Sequence, residues 1–379
     1  EYVIKDGMFC LVGAEKEEDG DAILGGDDTD EGDAEAVPSA DSDLESLLAV
    51  LPDNLRHSLQ EDPDRDRLVE IVVHIDRSPH VFFSDGKGGR QRKILRGLSF
   101  GWDNMEFILK HLPEFNTQNR SVIEGTLHRI SANKSAQGDV LGLTMRLGKH
   151  VPDASLPLLD LVSQSKMGCV LMIGPPGRGK TTLLRDFCAQ LSKDVHVVIV
   201  DKSNEIAGEG DREHPSVGDA FRLQIPEGMS ADEGQEKKLI EALENHSPDV
   251  IVADEISTRK QVDAICTISR RGASLLCTCH GEDLRDVRKN QWLSMLMGRF
   301  ETAAVSDDQF IETGSKFLTQ MVSPPLIKTA IELKSQRSWV IHHNVKASVQ
   351  AMLEGKEPEI EWRKVDEKGR FWRHRGKPA

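Results

Sequence analysis

Long apolar runs are missing from this chain: no stretch of about eighteen apolar residues occurs, so no segment reads as a membrane-spanning helix. Aromatic residues are scarce at 5%, with a single tyrosine, in a composition otherwise ordinary for a globular protein. The six cysteines (Cys10, Cys169, Cys188, Cys266, Cys277 and Cys279) show no paired framework, which excludes a disulfide-stapled scaffold and fits a reducing compartment. Cys277-x-Cys279-His280 has the residue types of a zinc site, but no second ligand pair stands at metal-site spacing, so these read as small buried residues on a strand. Net positive charge is also lacking, at −15 overall. Residues 1–43 hold fifteen Asp and Glu against Lys5 and Lys16, giving −13 there and leaving about −2 for the rest. The acidity therefore belongs to a tail and does not exclude an anionic partner for the body. The chain begins at Glu1 without an initiator Met, so it reads as a fragment or processed form in which any targeting peptide is out of sight.

What is present centres on residues 168–185, GCVLMIGPPGRGKTTLLR. Val170 to Ile173 read as a buried strand, Gly174 to Thr181 fit G-x-x-x-x-G-K-[ST], and the apolar-periodic residues from Thr182 read as a helix. A P-loop works because Gly174, Gly177 and Gly179 let successive backbone N–H groups curl around a phosphate at a helix N-terminus. Gly174, Pro175, Pro176, Gly177, Arg178, Gly179, Lys180, Thr181 and Thr182 are thus the expected ATP-binding residues. Lys180 is expected to reach the β- and γ-phosphates, and the Thr181 hydroxyl to ligate Mg²⁺.

Before the P-loop, residues 11–43 are too poor in large apolar side chains to offset ordering entropy and read as a disordered spacer. Two short helices follow from Asp43, then strands over Leu68–Ile75 and Val81–Phe83, a helix near Phe107–Leu112, and a hairpin of Val122–Ile130 with Val140–Leu147. This is a small α+β domain without a catalytic constellation. Its basic cluster, Lys87, Arg90, Arg92, Lys93 and Arg96, has no interleaved aromatics and reads as a solvated hairpin, with a nucleic-acid-facing loop as the alternative.

After the P-loop, strands and helices alternate as in a parallel sheet covered on both faces. Val195–Asp201 is a strand whose carboxyl end leads to Glu205, a site candidate because ligands bind at such ends. A helix over Asp232–Asn245 precedes Val250-Ile-Val-Ala-Asp254-Glu255, a Walker B strand. There Asp254 is expected to hold Mg²⁺ mainly through water, and Glu255 to orient the water that attacks the γ-phosphate. Ser274–Cys279 ends in His280, placed to sense the γ-phosphate. The bland alternatives are a solvated acidic loop residue for Glu205 and a turn-capping His280.

With these residues in hand, the chain resembles the plastid and cyanobacterial ATPases of the seedling plastid development type, and the stage III sporulation protein AA. The resemblance rests on Thr126–Ser131, Gly142–Arg146, Leu158–Asp160, the P-loop, Asp201–Gly208, Glu244–His246, Asp249–Ile256 and Thr278–Gly281, and covers most of residues 45–355. The core is also similar to the secretion and pilus-motor ATPases. That likeness implies an acidic-box role for Glu205, a histidine-box role for His280, a strand between the P-loop and Walker B strands, and rings, usually hexamers. Lys202, Ser257 and residues 301–337 depart from the family pattern, and Arg212, Arg222, Arg270, Arg271 and Arg299 remain open as arginine fingers.

The expected architecture is an α/β P-loop NTPase, a RecA/AAA-like parallel sheet with helices on both faces, preceded by a small α+β domain. The divisions are an acidic disordered segment over 1–43, the α+β domain over 44–150, the ATPase domain over 151–322, and a strand-helix extension with a basic tail over 323–379. Residues 361–379 carry seven Lys and Arg against three acids, with Trp362, Phe371 and Trp372 among them, which suits stacking on single-stranded nucleic acid; a basic disordered end is the alternative. The expected function is Mg²⁺-dependent ATP hydrolysis by a homo-oligomeric mechanoenzyme acting on protein or single-stranded nucleic acid. The alternative is a nucleotide-gated scaffold with slow or no turnover, and a kinase is a weaker third reading. The resemblance implies a chloroplast location, or the cytoplasm for a bacterial chain.

Overall fold

The computed structural model describes residues 2–5, 8–11, 40–86, 89–162, 167–226, 228–304, 317–366 and 368–377. Inside the segment expected to lack structure, Tyr2–Lys5 pairs with Met8–Leu11 as a short antiparallel hairpin, and a helix opens at Ala40. The rest of that expectation lies outside the described residues, as does Lys87 of the basic cluster.

The first unit is a six-stranded antiparallel sheet. Its order across the sheet is Arg90–Ile94, His80–Ser84, Leu68–His74, Val140–Arg146, Arg129–Lys134 and Arg120–Ser121. The irregularity between Leu68 and Glu70 shifts the alternation of Leu68–His74, so that Leu68, Ile71 and Val73 are buried and pack with Leu47 and Leu55 of the helices Ala40–Ala49 and Asp53–Gln60, with Leu51 between those helices, and with Met105 and Ile108 of the helix Trp102–Lys110. Arg90–Ile94 forms an edge strand, exposed along most of its length, with Arg90 and Lys93 paired to Glu70 and Asp62. The expected strand over Val122–Ile130 is displaced: the strand starts at Arg129, because Ile123 to Thr126 form a turn with Gly125 at φ +72° and the Thr126 hydroxyl donating to the Ile123 carbonyl.

The second unit is a nine-stranded mixed sheet. Six strands run parallel in the order Phe221–Gln224, Val197–Asp201, Val250–Ala253, Ser274–Cys279, Cys169–Ile173 and Ile327–Ser335. Ser338–His342, Ile360–Val365 and Phe371–Gly376 continue it antiparallel. Strands buried on both faces need near-continuous apolar runs, and the central ones comply. Leu171, Val198, Ile251 and Leu275 face the helices Ala231–Asn245 and Arg259–Arg271, while Val170, Met172, Ile199 and Val252 face the helix Lys180–Leu191. Ser274–Cys279 is the strand between Cys169–Ile173 and Val250–Ala253, and its Cys277 and Cys279 are buried core residues.

The strands beyond residue 323, read from sequence as an extension, are hydrogen-bonded into this sheet. Ile327 and Ala330 pack into one of its cores, and Ile331, Leu333 and Trp339 into the other. Residues 371–376 form the edge strand where the sequence suggested a tail.

Candidate nucleotide site

At the carboxyl end of Cys169–Ile173, with all five of its residues buried, the chain leaves the sheet and turns into the helix Lys180–Leu191. Gly177 at φ +78° and Gly179 at φ +88° occupy the left-handed region that other residues reach only with strain. No side chain caps the first turn of this helix, so its amide groups are available to an anion. The Lys180 ammonium donates to the Gly174 carbonyl at 2.6 Å and the Pro175 carbonyl at 3.1 Å, and its nitrogen stands 3.3 Å from His280 Nδ1. Burial holds the Lys180 pKa below the usual lysine value, against the opposing pull of nearby acidic groups.

Two neighbouring strands bring acidic groups to the same rim. Asp201 ends its strand fully buried and accepts from the amides of Glu205, Ile206 and Ala207, which curls the following loop toward the P-loop. Arg185 of the P-loop helix donates to the Glu205 and Ile206 carbonyls and holds the same loop from the other side. Glu205 Oε2 thereby comes to 3.5 Å from the Thr181 hydroxyl. Asp254 is buried, and burial pushes its carboxyl upward, opposed by hydrogen bonds from the Ser203 hydroxyl at 2.6 Å and the Lys202 amide at 2.9 Å.

Glu255 adopts φ +46°, a left-handed conformation that is uncommon for a residue with a side chain and costs of order 1–3 kcal/mol. Its amide donates to Thr278 Oγ1 at 2.9 Å, and its carbonyl accepts from the Lys202 ammonium at 3.3 Å. The turn aims the carboxylate, which is 40% exposed, at His280 Nε2, 3.4 Å away. His280 thus bridges Lys180 and Glu255 across adjacent strands.

Sequence reasoning missed the groups that support this rim. Arg129 reaches over from the six-stranded sheet, lying 3.0 Å from Glu205 and 2.8 Å from Glu209, and donates to the Ser203 carbonyl. Arg120 lies 3.6 Å from Glu209. Under the Walker B turn, Gln235 donates to the Asp254 carbonyl, Gln261 donates to Gln235 Oε1, and Lys202 pairs with Asp232 at 2.6 Å. Of these only Gln261 left a legible signal, as the third helical residue of a Thr258 capping box.

The candidate arginines separate. Arg222 is buried and donates to the Gly208 and Gly210 carbonyls at 2.6 and 2.7 Å, which makes it a structural clamp on the loop after Asp201. Arg270 and Arg271 end a helix whose start lies beside the Walker B turn, so they fall at the opposite end of the sheet from the P-loop. Arg212 and Arg299 are exposed.

Thr181, Glu205 and Asp254 supply oxygen donors only, which suits Mg²⁺, an ion held by one or two protein groups together with phosphate and water. Among the described residues no group of three or more His, Cys, Asp or Glu is gathered as a metal cage, in keeping with such a sparse donor set. A cavity of about 500 Å³ opens beside Gly179 and Thr182, walled by Pro152, Arg337, Trp339 and Asp366.

A P-loop at the carboxyl end of a parallel sheet, with a Walker B strand two places away and one strand between, defines an ATPase-like P-loop protein. The model of the family described as "Sporulation stage III, protein AA" matches residues 134–309. The uncharacterized protein ycf45 of Porphyra purpurea is 35% identical over 87% of this chain and 57% of its own length, and that of Cyanidium caldarium is 33% identical over 83% and 92%. The chain belongs to this ycf45 family. Protein SEEDLING PLASTID DEVELOPMENT 1 of Arabidopsis thaliana is 34% identical over 85% of the chain and 46% of its own length, so the chain spans about half the length of that protein and of the Porphyra purpurea relative. Its plastid relatives support a chloroplast location. Among solved structures, the Legionella pneumophila ATPase DotB aligns at 12% identity and a TM-score of 0.44 over 79% of this chain and 78% of that one.

Proposed function

We propose that the chain is a Mg²⁺-dependent ATPase that hydrolyses ATP to ADP and phosphate as a ring-forming homo-oligomer, a hexamer by analogy with the secretion ATPases. In this reading it works on a protein or single-stranded nucleic-acid partner. Its two working units are the α+β domain over 44–150 and the P-loop unit from residue 151 onward.

The observation that carries the reading is the line Lys180–His280–Glu255, built on adjacent strands beside an uncapped helix N-terminus. Gly177 to Thr182 wrap the phosphate chain with backbone N–H groups, Pro175 and Pro176 having none to give, and the Lys180 ammonium turns from the loop carbonyls to the β- and γ-phosphates. Thr181 would hold Mg²⁺ directly, with Asp254 acting through water, and Glu205 completes the acidic side of that position. The ion supplies charge neutralisation on the phosphate oxygens. Glu255 accepts a hydrogen bond from the attacking water and aligns it with the γ-phosphate; His280 keeps that carboxylate in register with Lys180 and senses loss of the phosphate. In this reading the cavity beside Gly179 and Thr182 takes the nucleoside, a role supported by its adjoining the start of the P-loop helix.

Steady-state release of phosphate by the purified chain, beside Lys180→Ala and Glu255→Gln, tests the proposal. Turnover in the parent, loss of both binding and turnover in the Lys180 variant, and binding without turnover in the Glu255 variant are expected. ATP binding without hydrolysis by the parent would replace this reading with a nucleotide-gated scaffold. Sedimentation with and without ATP tests the ring separately.

A further inference from the structure

The last two strands of the large sheet, Ile360–Val365 and Phe371–Gly376, form a hairpin at its edge. The register sets Trp362 directly opposite His374 and Lys364 directly opposite Trp372. Successive side chains of a strand alternate between faces, so Trp362, Lys364, Trp372 and His374 share one face. All four are exposed, the two tryptophans by 39% and 54%. Trp362 and Trp372 are diagonal neighbours, a relationship that separates strand positions by about 7–8 Å. The Arg370 guanidinium lies 5.8 Å from the Trp372 ring centre.

The other face explains why these rings are held in place. Glu361 is fully buried, and its carboxylate lies 2.5 Å from Arg363, 2.8 Å from Arg373, 2.6 Å from Arg375 and 3.0 Å from His343. Arg363 also binds the Pro157 carbonyl and the Asp160 carboxylate, which ties the hairpin to the segment leading into the P-loop strand. A tryptophan on such an anchored strand loses little further freedom when it takes up a partner.

We propose that the outer face of this hairpin binds single-stranded nucleic acid, with bases stacked on Trp362 and Trp372 and the sugar–phosphate backbone drawn to the surrounding basic side chains. Of the seven Lys and Arg in residues 360–377, Arg363, Arg373 and Arg375 neutralise Glu361 on the other face, so the cations that face a backbone beside the two rings are Lys364 on the strand and Arg370 next to Trp372. Flat aromatic faces interleaved with cations match a polyanion whose bases present open π-faces, and they do so without sequence preference. Val365, Asp366 and Gly369 at the turn of the same hairpin help to wall the cavity beside Gly179 and Thr182, so an occupant of the outer face lies one turn from the proposed nucleotide site. Binding itself does not depend on the ATPase reading, and it is measured without nucleotide so that the two fail separately.

Fluorescence anisotropy of a labelled oligouridine of about sixteen nucleotides, titrated with the full chain at low and physiological salt, makes the measurement. The parent is expected to bind and to weaken as salt rises. The pair Trp362→Ala with Trp372→Ala is expected to bind roughly tenfold or more weakly, while the pair Trp362→Phe with Trp372→Phe keeps most of the affinity. Lys364→Glu should weaken binding and flatten its salt dependence, and it carries the test together with the phenylalanine pair if the alanine pair does not fold. The proposal fails if the parent does not bind at low salt, or if the alanine pair binds as the parent does. It also fails if the alanine pair alters only the sedimentation of the chain, which would make this face a contact between copies.

Discussion

Arg129 of the small domain lies 3.0 Å from the Glu205 carboxylate at the nucleotide site and 2.8 Å from Glu209. Its side chain is 17% exposed and Glu209 6%, so this link between the two sheets is largely shielded from solvent. Hydrogen bonds to charged groups contribute about 1.5–3 kcal/mol, and removing Arg129 leaves Glu209, among the described residues, with the more distant Arg120. Arg129→Ala should therefore destabilise the chain by roughly that amount. A double-mutant cycle with Glu209→Gln, followed by chemical denaturation, should show coupling between the two positions. Strict additivity would show that the contact does not join the units energetically.

His280 supplies a second, separable effect. Because its two ring nitrogens face Lys180 and Glu255, His280→Ala should leave the P-loop able to bind ATP while loosening the carboxylate proposed to align water. We expect kcat to fall by roughly 10–100-fold, at or below the low end of what a group that itself transfers the proton contributes, with the KM for ATP changed only a few-fold. Rapid-quench kinetics separates the two parameters. An equal fall in ATP affinity would assign His280 to nucleotide binding instead.

Much of this site was legible in the sequence because each motif there is local. The P-loop glycines, Lys180 and Thr181 lie in one turn, and Asp254 and Glu255 end one apolar run. Glu205 was picked out by its place after the carboxyl end of an apolar strand and given a role by resemblance, while its geometry depends on Asp201 and Arg185, which no spacing rule connects. Arg129 was not legible, since its contacts with Glu205 and Glu209 span more than seventy residues and two sheets. The edge hairpin was misread as a tail because its burial comes from one buried acid, Glu361, ringed by cations, and a charged strand carries no apolar signature.

The small domain carries a pH dependence of its own. His128 is buried, its Nε2 lies 2.6 Å from the Asp43 carbonyl, and its Nδ1 accepts from the Gly148 amide. These contacts fix a neutral ring protonated at Nε2, and a second proton on Nδ1 would break the bond from Gly148. Burial lowers its pKa below the ordinary 6.5, outweighing the raising contributions of Asp43. With the folded pKa below the unfolded one, the stabilisation is complete above pH 6.5 and is lost as pH falls through the folded value. Thermal melting between neutral and mildly acidic pH should show this loss, and His128→Gln should reduce the slope. An unchanged slope in the variant would point to other titrating groups.

The polar network beneath the Walker B turn leads to the strongest test of positioning. Gln235 is fully buried, donates to the Asp254 carbonyl, and accepts from Gln261, which is itself bound by the Ser257 and Thr258 amides. Gln235→Leu removes both links while keeping the side chain's approximate volume, leaving the Asp254 carbonyl and the Gln261 amide without these partners. Each buried group so stranded costs about 1–3 kcal/mol, so a clear drop in denaturation midpoint is expected. Leu239→Ala, one helical turn away on the same helix and buried in the core, should cost a comparable or larger 2–5 kcal/mol by leaving a cavity. The two variants differ in what they touch: only Gln235 holds the strand end that presents Asp254 and Glu255. At a temperature where both remain folded, kcat should therefore fall in Gln235→Leu and stay near the parent value in Leu239→Ala. Equal falls would mean that turnover follows global stability, and that the network merely satisfies buried polar groups.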